Sequence, residues 1–485
     1  MSNASTQTRA QSKESQTPDI LSDSAQRHLT RTILMLAWPA ILEQFLICMA
    51  SLADTAMVGS IGASATAAVA VNISSIWLIN GFITALSVGF SYLISHTVGA
   101  GDPVHARRIT AQALLCSAVL GITLSLAVEL ICHPLPIWLG ADPEVIPQAQ
   151  RYMQIIGFGL TAQAMCVTIS AVFRSAGNTR IPLTANLTAN VANIIGNFFL
   201  IYPTRTITIG GTSFSIWGAG LGVAGAGTST ALSQCLLLLI LLAFLTFGKT
   251  PIQLNLLHAD FRVERQTLAQ LWQISVPVLL ERLTLTSGQI ALTAMISGLG
   301  TISLAAHYLT NQTEGILYLP AYGFAYTATA LVGQALGAHR TDLADRFAVR
   351  ISWIGSIVIV LACVPVALFS GPIIHLFSPD PDVVALGTRT LFVAATTEIF
   401  FSFTVIAGGI FRASGDVRFA LLVSIIGMWG LRIGLVWFAI HPLGLGVVGV
   451  WLAIAVDCLI RMILCIWRIK SKKGAVALAN IFAGR

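Results

Sequence analysis

The feature that most constrains this chain is a series of long runs almost free of charge. A membrane-spanning helix needs about 20 mostly apolar residues. Cutting the sequence where charge, Pro or Gly clusters interrupt such runs leaves twelve, roughly 33–59, 66–98, 109–132, 150–172, 182–202, 219–247, 268–297, 303–336, 347–370, 387–410, 418–440 and 445–468. Charged residues make up only 10% of the 485, against about 25% in soluble domains, which excludes a soluble enzyme or nucleic-acid binder. Lipid cannot satisfy an open backbone, and nothing shows the ten-residue alternation of a membrane barrel. The expected fold is an all-α integral membrane protein.

The net charge of +7 is positional. With loops assigned alternately to the two sides, Arg107, Arg108, Arg174, Arg180, Lys249, Arg262, Arg265, Arg340, Arg346, Arg412, Arg418, Arg468, Lys470, Lys472 and Lys473 fall on one side, and the other holds mainly Arg205. By the positive-inside rule both termini are cytoplasmic in a multi-pass protein of the cell (inner) membrane, and no nucleic acid is needed to explain the charge. Residues 1–30, rich in Ser, Thr and Gln, lack a secretory core and read as a disordered cytoplasmic tail. Residues 471–485 read as a second, basic tail. The eight cysteines lie in apolar stretches without CxxC or metal-ligand spacing, as small packing residues.

The chain repeats itself. A shift of 238 residues places Pro39 and Glu43 on Pro277 and Glu281, Gly99-Ala100 on Gly337-Ala338, Asp142-Pro143 on Asp380-Pro381, and Phe173-Arg174 with Gly177 on Phe411-Arg412 with Gly415. After a longer outer loop in the first half the offset falls to 224, which places Leu221-Gly222-Val223 and Gly225 on Leu445-Gly446-Val447 and Gly449. Six spans per repeat is an even number, so the halves are parallel repeats, residues 31–247 and 267–470, joined by a cytoplasmic linker at 248–266.

A duplicated chain offers a test. Polar residues used for architecture should recur at the matching position, whereas function breaks the symmetry. Ionisable residues are costly in a bilayer and are functional candidates by default: here Glu43, Asp54, Glu129, Glu281, Glu314, Glu398 and Asp457. Glu43 and Glu281 are repeat mates, which favours structural use such as snorkelling or bonding a kinked backbone, although Glu281 is kept as a substrate candidate. Glu129 lies near an outer helix end and reads as reaching the interface. Glu398 and Asp457, with mates Leu160 and Ser233 and no polar stripe around them, are left open.

Asp54 has the mate Leu292. Asn186, Asn190, Asn193 and Asn197 recur at helical spacing on one face of the fifth span, and the mates of the last two are Leu431 and Leu435; Thr230 in the sixth span has mate Ile454. At about 1.5 Å per residue, Asp54 and Asn197 lie at similar depth, with Asn193 and Thr230 deeper. Such an oxygen-rich set suits a hard monovalent cation, possible sodium on Asp54, Asn193 and Thr230, or a proton carried by Asp54. The competing reading is interhelical glue, worth about 0.6–2 kcal/mol per contact.

In the eighth span His307, Asn311, Glu314, Tyr318 and Tyr322 share a face, and the mate of Glu314 is Ile76. A carboxylate among aromatic rings suits an organic cation through cation–π contact of about 0.5–2 kcal/mol. Packing tyrosines and a helix kinked by Pro320 are the alternative. The spacings Gly220-x-Gly222-x-x-Gly225 and Gly444-x-Gly446-x-x-Gly449 match a dinucleotide fingerprint, but neither sits in a βαβ unit, and close helix approach explains them better. No GxSxG elbow or HExxH motif is present, which argues against an enzyme.

Leu52-Ala53-Asp54-Thr55-Ala56-Met57-Val58-Gly59, Gly99-Ala100-Gly101, Phe173-Arg174-Ser175-Ala176-Gly177-Asn178-Thr179, Leu331-Val332-Gly333-Gln334-Ala335-Leu336-Gly337-Ala338 and Phe411-Arg412-Ala413-Ser414-Gly415-Asp416, in this order and spacing, resemble the multidrug and toxic compound extrusion (MATE) family of secondary transporters, prokaryotic branch. The resemblance covers about residues 30–470. It implies two six-helix lobes forming a V-shaped cleft, and antiport of a compound, often an amphipathic organic cation, against sodium or protons. Asp54 looks like the first-helix carboxylate of the family's cation site, with Asn193 and Thr230 as partners. Asn197 stands where relatives often carry a second Asp, so one negative charge is lost.

The expectation is therefore an efflux antiporter working by alternating access as a monomer, without a cofactor beyond its coupling ion. Asp54, Asn193, Asn197 and Thr230 would bind the ion, and Glu281, Asn311, Glu314, Tyr318 and Tyr322 the compound. One rival is a lipid-linked glycan flippase, which would want a strongly cationic cleft; Arg282 and Arg432 are the arginines that this reading finds inside spans. The other is an intramembrane enzyme, which would release a modified product.

Overall fold

The computed structural model describes residues 28–209, 212–248, 250, 252–255, 260–262 and 264–471, with the backbone alone for 207–209 and 212–214. The expected tails at 1–30 and 471–485 lie outside these residues except at 28–30, which open the first helix, and Ser471. The first half contains α1 (Leu29–Gly59), α2 (Ala63–Gly99), α3 (Pro103–Ile131), the short α4 (Pro134–Trp138), α5 (Ile146–Ser175), α6 (Arg180–Leu200), β1 (Pro203–Ile209), β2 (Thr212–Ala219) and α7 (Val223–Phe247). The second contains α8 (Arg265–Ser297), α9 (Thr301–Leu317), α10 (Leu319–Gly337), α11 (Thr341–Leu368), the short α12 (Ser370–Phe377), α13 (Pro381–Ser414), α14 (Val417–Ile425), a π-helical stretch at Ile426–Arg432, α15 (Ile433–Ile440) and α16 (Gly446–Lys470).

Each expected span coincides with a helix or a broken helix, and even the short α4 and α12 occupy corresponding places. Among the described residues ten helices, with α9 and α10 taken together and likewise α14 to α15, are long and apolar enough to cross a bilayer. Arg180–Leu200, with its asparagines, and Arg265–Ser297, with Glu281-Arg282, are not among them. Two breaks appear in the second half alone. The chain leaves the helix at Tyr318, where Pro320 removes a backbone donor, and a π turn interrupts the eleventh span. Pro39 and Pro277, repeat mates, sit inside α1 and α8.

One departure from an all-α fold lies in the longer loop of the first half. There β1 and β2 pair antiparallel, with Arg205 opposite Ile216. The β-branched Thr and Ile residues that alternate in the first strand's sequence favour a strand. Arg205 lies 4.2 Å from the ring centre of Phe198 and 4.4 Å from that of Tyr202, which ties the ribbon to α6.

The two halves are built alike. α5 packs on α2, α3 and α7 at the centre of the first, and α13 packs on α10, α11 and α16 at the centre of the second. Large apolar residues point outward, among them Trp77, Leu130, Phe247 and Leu361, as a lipid-facing surface requires. Ile33, Leu36 and Ala37 of α1 share a core with Phe324, Phe347 and Ile351 of the other half. Of the linker, Ile252 and Leu254 are buried in the first half's core, and Arg108 of α3 bonds Glu264 at 2.7 Å.

The halves meet most closely at the end holding Gly99 and Gly337. A Cβ on Gly99 would collide with the Gln334 backbone, and one on Gly337 with that of His96. Residues 96 and 334, like 99 and 337, are 238 apart, so the crossing obeys a local pseudo-two-fold. The glycines allow the backbone approach that larger side chains would prevent.

Candidate functional site

Four polar side chains of the first half come together on three helices. Asn197 of α6 donates to the Asp54 carboxylate of α1 through a very short hydrogen bond, and Asn193 and Asn197 are linked at 3.4 Å. Asn193 Nδ2 donates to Thr230 Oγ1 of α7 at 3.4 Å. Gly196 lets α7 come close enough for Ser229 to donate to the Asn193 carbonyl at 2.8 Å. Asn197 is fully buried, and its Oδ1 has no partner among the described residues.

This orphaned amide oxygen, the Asp54 carboxylate, Asn193 Oδ1 and Thr230 Oγ1 form a set of hard oxygen donors that fits a monovalent cation. Among the described residues no three His, Cys, Asp or Glu side chains are grouped to hold a metal ion; one carboxylate among neutral oxygens does not fit a transition metal. Tyr152 of α5 lies within electrostatic range of Asp54. Its mate is Thr390, so the symmetry comparison had the signal for it.

The other two asparagines of the stripe do different work. Asn190 donates to the Leu46 carbonyl at 3.1 Å, a helix-to-helix bond. Asn186 donates at 3.0 Å to Glu43 Oε1, which also accepts from Arg174 at 2.9 Å. Arg174 and Arg412, placed in cytoplasmic loops by the sequence, are instead buried in the last turns of α5 and α13. Trimming a span at its first charge misassigned them, because a carboxylate on another helix makes burial of Arg174 tolerable. Glu129, expected at the interface, accepts from Gln154 at 3.2 Å and has its other oxygen buried.

In the second half, the break at Tyr318 divides the expected single face between α9 and α10. Tyr318 still meets Tyr322 edge to face at 5.5 Å and Phe401 of α13 at 6.0 Å. Glu314 is close enough to Glu398 and Arg432 to interact with both charges, and Glu398 accepts from Ser402 at 2.5 Å. Asn311 and Glu314 are half-buried on α9, whereas His307 lies against Trp451 at 5.5 Å. Glu281 accepts from Ser424 at 3.4 Å.

Asp457, which showed no polar stripe in the sequence, is clamped by two arginines. Arg432 Nε donates to it at 2.8 Å and Arg461 Nε at 2.7 Å. Arg461 therefore joins Arg282 and Arg432 as an arginine inside a span, as do Arg350 and Arg389, and the i,i+4 spacing of Arg461 from Asp457 was a readable signal. Arg432 is delivered by the π turn, which leaves no simple spacing rule to find it. Of the fingerprint-like glycines, Gly220 and Gly222 take positive φ in a turn, and Gly225 lies against the Leu200 backbone.

The MatE family model matches twice, at residues 39–199 and 277–438, with starts 238 residues apart. "Uncharacterized transporter YisQ" of Bacillus subtilis is 27% identical over 446 residues, covering 91% of this chain and 94% of that one. "Probable multidrug resistance protein NorM" of Thermotoga maritima is 23% identical over 436 residues, covering 89% and 90%. Among solved structures, "Outward-facing conformation of a multidrug resistance MATE family transporter of the MOP superfamily" superposes with a TM-score of 0.84 at 21% identity, covering 93% of this chain and 96% of that one. With both halves matched by one family model and relatives aligned nearly end to end, the chain belongs to the MatE family and is a multi-pass membrane transporter, not an enzyme.

Proposed function

We propose that this transporter exports amphipathic, cationic organic compounds in antiport with protons or sodium by alternating access. It would have twelve spans in two parallel six-helix lobes, residues 31–247 and 267–470, joined by the linker 248–266 around a V-shaped cleft. With the basic end facing the cytoplasm of a cell with both termini inside, the crossing at Gly99 and Gly337 closes the cytoplasmic side. The single observation that carries the reading is the joining of Asp54, Asn193, Asn197 and Thr230 on three first-half helices, where the second half has Leu292, Leu431, Leu435 and Ile454.

Ion binding or protonation at Asp54 biases the packing of α1 against α6. A compound with different affinity for the two resulting arrangements is then coupled to the ion. Glu314 supplies the charge for the compound, Asn311 a polar neighbour, and Tyr318 and Tyr322 its aromatic walls; Glu281 is a further acid offered to it.

Asp54→Asn in proteoliposomes, with sodium and proton gradients imposed separately, tests this. The variant should insert and fold but lose gradient-driven efflux; undiminished coupled transport removes the assignment. Mass spectrometry of the exported compound separates transport from modification.

A further inference from the structure

The glutamate, arginine and polar partner at the core of each half are repeat mates, yet their bonding differs. In the first half Glu43 accepts from both Arg174, at 2.9 Å, and Asn186, at 3.0 Å. The corresponding residues are Glu281, Arg412 and Ser424. Ser424 reaches Glu281 at 3.4 Å, but Arg412 pairs with no carboxylate among the described residues. It is only 9% exposed, and no partner reaches its buried Nε. A buried guanidinium without a counter-charge costs several kcal/mol.

Arg412 lines a cavity of about 60 Å³ between the halves. Ser91 and Arg174 line it from the first half, and Arg282, Tyr326 and Thr329 line it with Arg412 from the second. Ser91 and Thr329 are also mates, so the cavity straddles the pseudo-two-fold. Both hydroxyls already donate to backbone carbonyls, Ser91 to Ser87 at 2.9 Å and Thr329 to Ala325 at 3.0 Å and Gly409 at 3.1 Å. The charged donors left for a ligand are guanidinium N–H groups, beside the hydroxyls of Thr84 and Tyr326 that also line the cavity. Arg174 has its charge met by Glu43 and lies 4.6 Å from the Tyr326 ring centre. Arg282 interacts with Tyr322 and with its neighbour Glu281. Three arginines thus face two glutamates, an excess of one positive charge. The space is several times the roughly 10–15 Å³ that holds one water, enough for a hydrated monatomic ion and too small for an organic anion or a pyrophosphate.

We propose that this cavity binds one small monovalent inorganic anion of the halide type, held by Arg412 with Arg174 and Arg282, which ties the two halves together at the basic end. The anion is not the exported compound, and the proposal does not depend on how transport is energised. By linkage, it stabilises the conformation in which the cavity exists.

Thermal unfolding of the full-length protein in detergent, in potassium chloride, bromide or gluconate at constant ionic strength, tests it. Chloride and bromide should raise the unfolding temperature saturably over gluconate. Arg412→Gln should weaken the apparent halide affinity by about tenfold to a hundredfold, the loss of a charge-assisted bond. Arg412→Lys should keep a weaker halide response, which covers the case in which the glutamine variant fails to fold. Bromide-soaked crystals of the unaltered chain should show anomalous density beside Arg412. Indifference of the unaltered chain to exchange of gluconate for chloride or bromide, an unchanged response in Arg412→Gln, or a halide response that arises only in Glu281→Gln, with Arg412 then paired to Glu281, would each overturn the proposal.

Discussion

His96 on α2 donates its Nε2 proton to the carbonyl of Ala413 on α13 across 2.7 Å, and so joins one half of the protein to the other. The carbonyl can only accept, so the tautomer follows. Its mate repeats the arrangement with the halves exchanged: Gln334 on α10 donates to the carbonyl of Ser175 on α5 at 2.8 Å. Residues 96 and 334, and 175 and 413, are again 238 apart. Two side chains therefore bolt the basic end shut about a common axis, beside the crossing glycines.

Removing a bolt should favour the opposite conformation. Gln334→Ala leaves the Ser175 carbonyl without its donor, at a cost of about 1–3 kcal/mol to the closed end alone. Spin labels at the exposed positions Val104 and Asp342 should show a longer or broader distance distribution than in the unaltered chain. An unchanged distribution would mean that these bonds do not set the conformational balance.

Gly99→Leu should have a stronger effect of the same sign. The added side chain collides with the Gln334 backbone, and backbone cannot move aside as a flexible side chain can. Efflux should fall to background while yield of the folded, inserted protein stays near normal. Full activity in this variant would show that the close crossing is not needed in the cycle.

The Glu43–Arg174 pair is a question of stability. Glu43 is 1% exposed, so Glu43→Gln strands a buried guanidinium and should destabilise by about 3–5 kcal/mol, as should Arg174→Gln by stranding the carboxylate. The double change Glu43→Leu with Arg174→Leu should recover much of this, because neither charge is then left alone. Thermal unfolding of the three proteins in detergent gives the comparison, and equal destabilisation by the double and single changes would refute it.

Glu314→Gln should weaken transport of cationic compounds and leave neutral ones less affected, because only a charged ligand exploits the carboxylate. Uptake of a matched cationic and neutral pair into everted vesicles distinguishes the outcomes. An equal loss for both would place Glu314 in the structural network of Glu398 and Arg432.

Much of the molecule was legible in the amino acids. The spans could be read because a bilayer demands long uncharged helices, and the asparagine face because helical period is local. The hairpin after α6 was read only as a loop, since a short solvated ribbon carries no bilayer signal. Tyr318 and Tyr322 were read on one continuous helix, which Pro320 divides. Asp457 with Arg461 could have been read from an i,i+4 spacing. Arg432 could not, because a π turn aims it.

The sequence by itself determined a membrane-embedded helical chain, doubled at an interval of 238 residues, with an acid and amides retained in only one half. Hydrophobic length, helical period and duplication are all written along the chain. The tertiary structure alone decided which charges are paired between helices. Arg174 finds Glu43 on another helix while Arg412, its mate in an identical Phe-Arg motif, finds no carboxylate among the described residues. The energy of a buried charge depends on what lies within a few ångströms in space, and that neighbourhood comes from helices distant in sequence.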